Sequence, residues 1–271
     1  MTNLKKLQKW LVKNNIDSIL INRTDEFLNE YVATYAERLR WVSNFSGSVG
    51  KAIVFVDKAV LFVDGRYSIQ AKKETNSKDF LIKKLSLYPS WLKKNLKNNL
   101  KIAIDPSLIS INEFNFIRKI TLKYNINFKL LHINPIDLLW KKQPNKPSSQ
   151  AFLHPDIYSG ETAEKKIRKI KSILNSKNCD YYFLSSLDSI AWLLNIRGND
   201  INFTPLNLSY LIISKHGKSS LFIKLSKVKK IKNKLKKFVN LINLDQVNKY
   251  LENITSRPIT KYRRNIWNCL N

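Results

Sequence analysis

Between residues 141 and 150 the hydrophobic pattern of this 271-residue chain stops. The stretch Lys141-Lys-Gln-Pro-Asn-Lys-Pro-Ser-Ser-Gln150 sets two prolines among polar residues and has no apolar period. Such a segment can neither continue a helix nor sit inside a sheet, so it divides the chain into two folding units. On each side of it strand and helix patterns alternate, which predicts an α/β fold with a mixed sheet flanked by helices in each half. The expected organisation is a first domain over 1–140, a linker over 141–150, a second domain over 151–255 and an ill-defined tail over 256–271.

In the first half, Leu4, Leu7, Trp10 and Leu11 predict a helix over 3–15, and Asp17–Ile21 reads as a short buried strand. A polar stretch runs from Asn22 to Arg40. Ala52–Val56 and Ala59–Val63 form a hairpin around Asp57-Lys58. A helix over Arg66–Glu74, a strand over Phe80–Leu85 and a helix over Ser90–Leu96 follow. Lys101–Ile104 is a strand, Ser110–Tyr124 a helix and Asn127–Ile133 the last strand of this half. In the second half the pattern predicts helices over Glu164–Leu174, Ser189–Asn195 and Lys227–Val239. Strands are expected over Tyr181–Leu184, Leu208–Ser214, Ser220–Lys224 and Leu241–Asn243.

Hydrophobic residues make up 44% of the chain, enough for two packed cores. The formal charge is +28, from 48 Lys+Arg against 20 Asp+Glu, and a charge of that size suggests nucleic acid or an anionic surface as partner. Against this, the lysines are spread along the whole chain, with Asn, Ile and Leu as the accompanying filler. That is the mark of a general compositional bias, so nucleic acid is not the expected partner. Cys179 and Cys269 stand far apart with no companion ligands, which suits a reducing compartment. Leu4, Leu7 and Leu11 are interleaved with lysine, unlike a secretory leader, and no stretch approaches the ~20 apolar residues of a membrane span.

The residues offer little for catalysis. His132, His154 and His216 each lack a second ligand at metal-binding spacing. There is no G-x-S-x-G and no Cys with a recognisable His partner. Gly47-Ser-Val-Gly50 lacks the end of a phosphate loop and the spacing of a dinucleotide fingerprint.

Three segments nevertheless stand out. Trp41-Val-Ser-Asn-Phe-Ser-Gly-Ser-Val-Gly50 leads into the hairpin, and Asp64-Gly-Arg-Tyr67 leaves it. Asp64 can cap the following helix, and Arg66 can pair with a carboxylate or bind a ligand. In Asp188-Ser-Ile-Ala-Trp-Leu-Leu-Asn-Ile-Arg-Gly-Asn-Asp200, Asp188 or Ser189 is the expected N-cap and Gly198 the expected stop. Lys227–Phe238 reads as a basic amphipathic helix with Val228, Ile231, Leu235 and Phe238 on its apolar face. That face either closes the second domain or meets an anionic membrane.

The first two segments together resemble the Xaa-Pro aminopeptidase family, within the creatinase and aminopeptidase P group. The likeness runs from Asn29 to Gly50, through Val63-Asp-Gly-Arg-Tyr67 and Gln70-Ala71. It continues at Tyr158-Ser-Gly-Glu-Thr162, Asp188–Asp200 and Thr204-Pro205. At Asn202-Phe203 relatives often carry a different polar pair. The resemblance implies two creatinase N-terminal-type α/β domains, followed in the family by a "pita-bread" catalytic domain. In the family that third domain holds two divalent metals, usually manganese, whose hydroxide cleaves the bond between a first residue and a following proline. No counterpart of it is found in these 271 residues, so no catalytic or metal-binding residue carries over. Arg66 does carry over: it stands where the family's Asp-Gly-Arg-Tyr arginine is associated with substrate at the mouth of the active site. The resemblance also implies a homodimer in the full-length form and a cytoplasmic setting. The expectation is a part that shapes the substrate cleft and is inactive alone. The alternatives are a stand-alone peptide-binding or dimerisation module and a polyanion-binding protein.

Overall fold

Leu4, Leu7 and Leu11 recur at three and four residues, and all three are buried on one side of the first helix, α1 (Asn3–Lys13), whose N-terminus is capped by the Thr2 hydroxyl. In the computed structural model, which describes residues 1–255 and 266–268, the chain divides into two units, Met1–Asn145 and Lys146–Asn271.

The first unit is built on six strands: β1 (Ser18–Asn22), β2 (Gly50–Phe55), β3 (Ala59–Val63), β4 (Leu81–Lys84), β5 (Lys101–Ile104) and β6 (Asn127–Leu130). Their order is β4-β3-β2-β1-β5-β6. β2 is antiparallel to both neighbours, and every other pairing is parallel. Five strands therefore point the same way. The hairpin register pairs Gly50 with Val63 and Val54 with Ala59.

Alternation in the central strands sorts side chains between two cores. Ile19, Ile21, Ala52, Val54, Leu61 and Val63 face α1 and the short helix α2 (Arg38–Ser43). Leu20, Ile53, Phe55, Val60 and Phe62 face the other way, with Trp91 and Ile117. Those two residues belong to α4 (Tyr88–Asn95) and α5 (Ile111–Thr121), which follow α3 (Ser68–Glu74); α6 (Pro135–Leu139) ends the unit. Both faces are covered, so these strands read as unbroken apolar runs.

The second unit opens with β7 (Phe152–Leu153), α7 (Asp156–Ser159), α8 (Ala163–Ser176), β8 (Tyr181–Leu184), α9 (Leu187–Leu194) and β9 (Ile196–Arg197). It continues with β10 (Ser209–Ser214), β11 (Ser219–Ile223), α10 (Lys232–Leu235), β12 (Val239–Ile242), α11 (Val247–Thr255) and β13 (Ile266–Asn268). Its main sheet runs β12-β11-β10-β8-β13, and β7 pairs with β9 apart from it. Leu211, Ile213, Leu221 and Ile223 face a core with α8 and α9; Ile212 and Phe222 face α11 on the other side.

Three expectations are corrected. The helix expected over Lys227–Val239 is a 3-10 segment over Leu225–Ile231 followed by the one-turn α10, and β12 begins at Val239. Val228, Ile231 and Leu235 are still buried, because 3-10 and α geometry both bring residues three apart to one side. In α9, Ser186 occupies the N-cap position and Asp188 lies in the first turn. The helix stops at Asn195 in the left-handed conformation, φ 49°, rather than at Gly198. The polar stretch over 22–40 runs into α2, which begins at Arg38; Arg38 is buried against Asp137 through two bonds of 2.9 and 3.0 Å. Of the expected tail over 256–271, all but Ile266–Asn268 lies outside the described residues.

Candidate functional site

In the first unit, β1, β3, β4 and β5 share a direction, so the segments that follow them gather on one edge of the sheet. β2 runs against them and enters from the same edge. Open α/β sheets bind ligands outside the carboxyl ends of their strands, where strand direction leaves loops and unpaired backbone groups together. Asp64-Gly-Arg-Tyr67 and Gly47–Gly50 both lie here.

Arg66 stands on a 3-10 turn, Gly65–Tyr67, between β3 and α3. Asp64 Oδ1 accepts from the Arg66 amide at 3.0 Å and from its Nε at 2.9 Å. These bonds hold the Asp64 carboxyl below the usual carboxylate range. The guanidinium carbon lies 5.5 Å from the centre of the Tyr67 ring, and the arginine side chain is 66% exposed. The cap and the ion pair expected of Asp64 and Arg66 are therefore both made. The pairing uses Nε, so the two outer nitrogens face no other partner among the described residues.

Tyr67 fixes this turn to the Trp41–Gly50 segment. Its ring meets the buried ring of Phe45 edge-on, with centroids 5.8 Å apart, and its hydroxyl lies 2.9 Å from Ser48 Oγ. A Cβ on Gly47 would sit 2.3 Å from Phe45 Cζ and 3.0 Å from Tyr67 Cγ, so only glycine lets the chain pass these rings. Ser46 donates from its amide at 2.8 Å and its hydroxyl at 2.7 Å to the Glu74 carboxylate, which also accepts from Gln70 at 2.9 Å. Burial pushes the Glu74 pKa up, but these donors outweigh it and hold the group below its usual value. Arg23 donates from Nε to Gly47 O at 3.2 Å and pairs with Glu37 at 2.9 Å. Sequence reasoning singled out Gly47, Gly50 and Arg66. It missed Arg23, Glu37 and Glu74, which stand alone in sequence and gain meaning only from the strand order.

In the second unit the Asp188–Asp200 segment holds the fold together. Lys166 of α8 is buried and donates to Trp192 O at 2.8 Å and Asn195 Oδ1 at 2.7 Å, with Nζ 4.4 Å from the centre of the Trp192 ring. Burial pushes its pKa down. Asn195 in turn donates to Asp156, Ser159 and the Glu161 carbonyl. Asp200 is fully enclosed and paired with the buried Lys227, and it accepts from Ser149 and the Leu208 amide at 2.7 Å each. Lys227, expected on a solvated basic face, is thus an internal cation whose pKa burial pushes down. A Cβ on Gly198 would lie 2.0 Å from Asn207 Oδ1, so this glycine serves close packing.

Among the described residues no group of three or more His, Cys, Asp or Glu could hold a metal ion, so the two metals implied by the resemblance find no ligand set in them. No described helix is long and apolar enough to cross a membrane.

Family profiles described as Creatinase/Prolidase N-terminal domain match residues 3–128 and 142–269. Among curated proteins, the "Probable Xaa-Pro aminopeptidase P" of Paracoccidioides brasiliensis (strain Pb03) is 33% identical over 216 residues, covering 78% of this chain and 35% of its own length. The protein of that name from Coprinopsis cinerea is 32% identical over the same length. The chain thus spans 35% of the length of these curated relatives. Among solved structures, the X-prolyl aminopeptidase of Caenorhabditis elegans, described as a cytosolic enzyme with a di-nuclear active site, superposes with a TM-score of 0.84 at 27% identity. That alignment covers 88% of this chain and 40% of the worm protein. Both halves are matched in succession by the same kind of domain, and the chain belongs to the creatinase/prolidase N-terminal domain family.

Proposed function

We propose that these residues form the non-catalytic, substrate-facing part of an Xaa-Pro aminopeptidase, acting on peptides with proline in the second position. Arg66 carries the reading. Its guanidinium is exposed at the carboxyl edge of the sheet, braced by Asp64 and Tyr67, with its outer nitrogens turned to no partner among the described residues. A planar fork held in that way suits a peptide carbonyl or carboxylate. The described residues supply no metal ligands, so the reading gives them positioning and no hydrolytic step. It further places the protein in the cytoplasm as part of a homodimer, and takes the two divalent metals, manganese in most of the family, to be held by the catalytic domain.

Hydrolysis of an Xaa-Pro peptide with Mn²⁺ tests this, using the purified chain alone and mixed with a separately expressed catalytic domain. The expected result is no turnover alone and turnover in the mixture. Arg66→Ala is expected to lower kcat/KM in the mixture by about 10- to 100-fold, the loss of one charge-assisted hydrogen bond. Turnover by the chain alone, or an Arg66→Ala mixture as active as the parent, overturns the proposal.

A further inference from the structure

In the second unit, β8, β11 and β12 all begin at the edge of the sheet where β10 ends: Tyr181 stands opposite Ser214, and Ser219 opposite Val239. Three segments converge on that edge. They are the end of α8 with the residues leading into β8, the turn between β10 and β11, and α10 with the residues leading into β12. α8 and α10 also cover the same face of the sheet, since Leu174 and Leu235 share one core with Leu211 and Leu221. Lysine side chains tie the segments together. Lys171 of α8 donates to the Gly217 carbonyl in the turn, and Lys218 of the turn donates to the Lys236 carbonyl at 2.8 Å.

The convergence concentrates charge. Residues 171–180 bring Lys171 and Lys177, the turn brings Lys215 and Lys218, and residues 232–238 bring four more lysines. Six of the eight are exposed and the other two half-buried. Within the same segments stands one acidic side chain, Asp180. Among the described residues no carboxylate pairs with any of the eight. An even excess of lysine along the chain does not produce this. From Ile201 to Leu244 the sequence has ten lysines and no acidic residue, and the fold brings α8 against that stretch.

What this edge turns outward is charge with little apolar surface. Val228, Ile231 and Leu235 are buried, and Phe238 packs against the same core. Within the three segments Ile173 is the only large apolar residue that is exposed. A helix that enters a lipid interface needs an apolar face turned outward. A single-strand binder needs exposed rings on which bases stack. The edge has neither. It presents separate ammonium groups, which suit the spaced phosphates of a duplex and carry no means of reading bases. We infer that this edge of the second unit binds the phosphate backbone of a nucleic-acid duplex. The inference goes beyond the peptide reading and does not depend on it, since Arg66 belongs to the first unit.

The test is fluorescence anisotropy of a labelled DNA duplex of about 20 base pairs, titrated with the purified chain at several NaCl concentrations. The logarithm of the affinity is expected to fall against the logarithm of salt with a slope of about −5, the release of counterions from about five or six phosphates. A patch variant combines Lys177→Gln, Lys215→Gln, Lys234→Gln and Lys237→Gln. Its slope should flatten to about −1, roughly one unit for each lysine removed. A control variant makes the same change of charge at four lysines of the first unit, Lys84→Gln, Lys93→Gln, Lys94→Gln and Lys97→Gln, all of them exposed. It should keep the slope of the parent. If circular dichroism shows the patch variant unfolded, Lys237→Gln alone should still flatten the slope by about one. Equal loss in the patch and control variants assigns binding to net charge and overturns the inference. So does a parent slope shallower than about −2. Tighter binding to phosphatidylserine vesicles than to the duplex makes the edge a membrane contact and overturns it as well.

Discussion

Glu74 shows how one carboxylate can serve both fold and site. It lies at the end of α3, where it collects the amide and hydroxyl of Ser46 and the amide of Gln70. Its folded pKa is held below the ordinary value of 4.5. A carboxylate with a lower pKa in the folded than in the unfolded chain adds stability above its unfolded pKa, and loses it as pH falls through the folded value. Thermal melts from about pH 5 to about pH 3 should therefore show a steeper loss of stability in the parent than in Glu74→Gln. Parallel curves would mean that Ser46 is held by something else. Nothing in the local sequence signals this role, because Glu74 and Ser46 meet only after β2 and β3 have paired.

Among the elements, the 3-10 segment over Leu225–Ile231 departs most from what its sequence suggests. Its apolar residues keep a three-and-four spacing, yet Lys227 points inward to Asp200. Lys227→Met should cost about 3 kcal/mol, the low end for a broken buried pair, because Ser149 and Leu208 still donate to Asp200. A urea midpoint for the second unit reads this, and an unchanged midpoint would show that the pair adds no stability. The apolar runs of β1, β2, β3, β10 and β11 were legible because each strand is buried on both faces, so both alternating sets are hydrophobic. The helices with three- or four-residue apolar spacing were legible for the same reason of periodicity. What sequence reasoning could not see were short elements such as α2, α6 and β7, and ion pairs joining residues far apart in the chain. Arg66 was legible through its motif. The bracing of its neighbourhood by Arg23, Glu37 and Glu74 was not, since these residues come from separate segments of the chain.

At the scale of the molecule, each unit has its own sheet and its own paired cores, and residues 141–150 run between them without regular structure. Limited tryptic digestion should cut first between Lys141 and Lys146 and leave two resistant pieces, identified by mass spectrometry; first cuts inside β1–β3 or β10–β11 would contradict two self-contained cores. Six of the eight non-glycine residues with positive φ among the described residues are asparagines: Asn15, Asn44, Asn99, Asn125, Asn178 and Asn195. Asparagine ages by attack of the next backbone nitrogen on its side-chain amide, which yields a succinimide and then isoaspartate with an extra backbone carbon. The residues that follow these six are Ile16, Phe45, Leu100, Ile126, Cys179 and Ile196, and the branched side chains of Ile16, Leu100, Ile126 and Ile196 hinder that ring closure. Four of these six left-handed asparagines thus precede isoleucine or leucine, whose bulk slows the ring closure, so those four turns resist this route of chemical ageing.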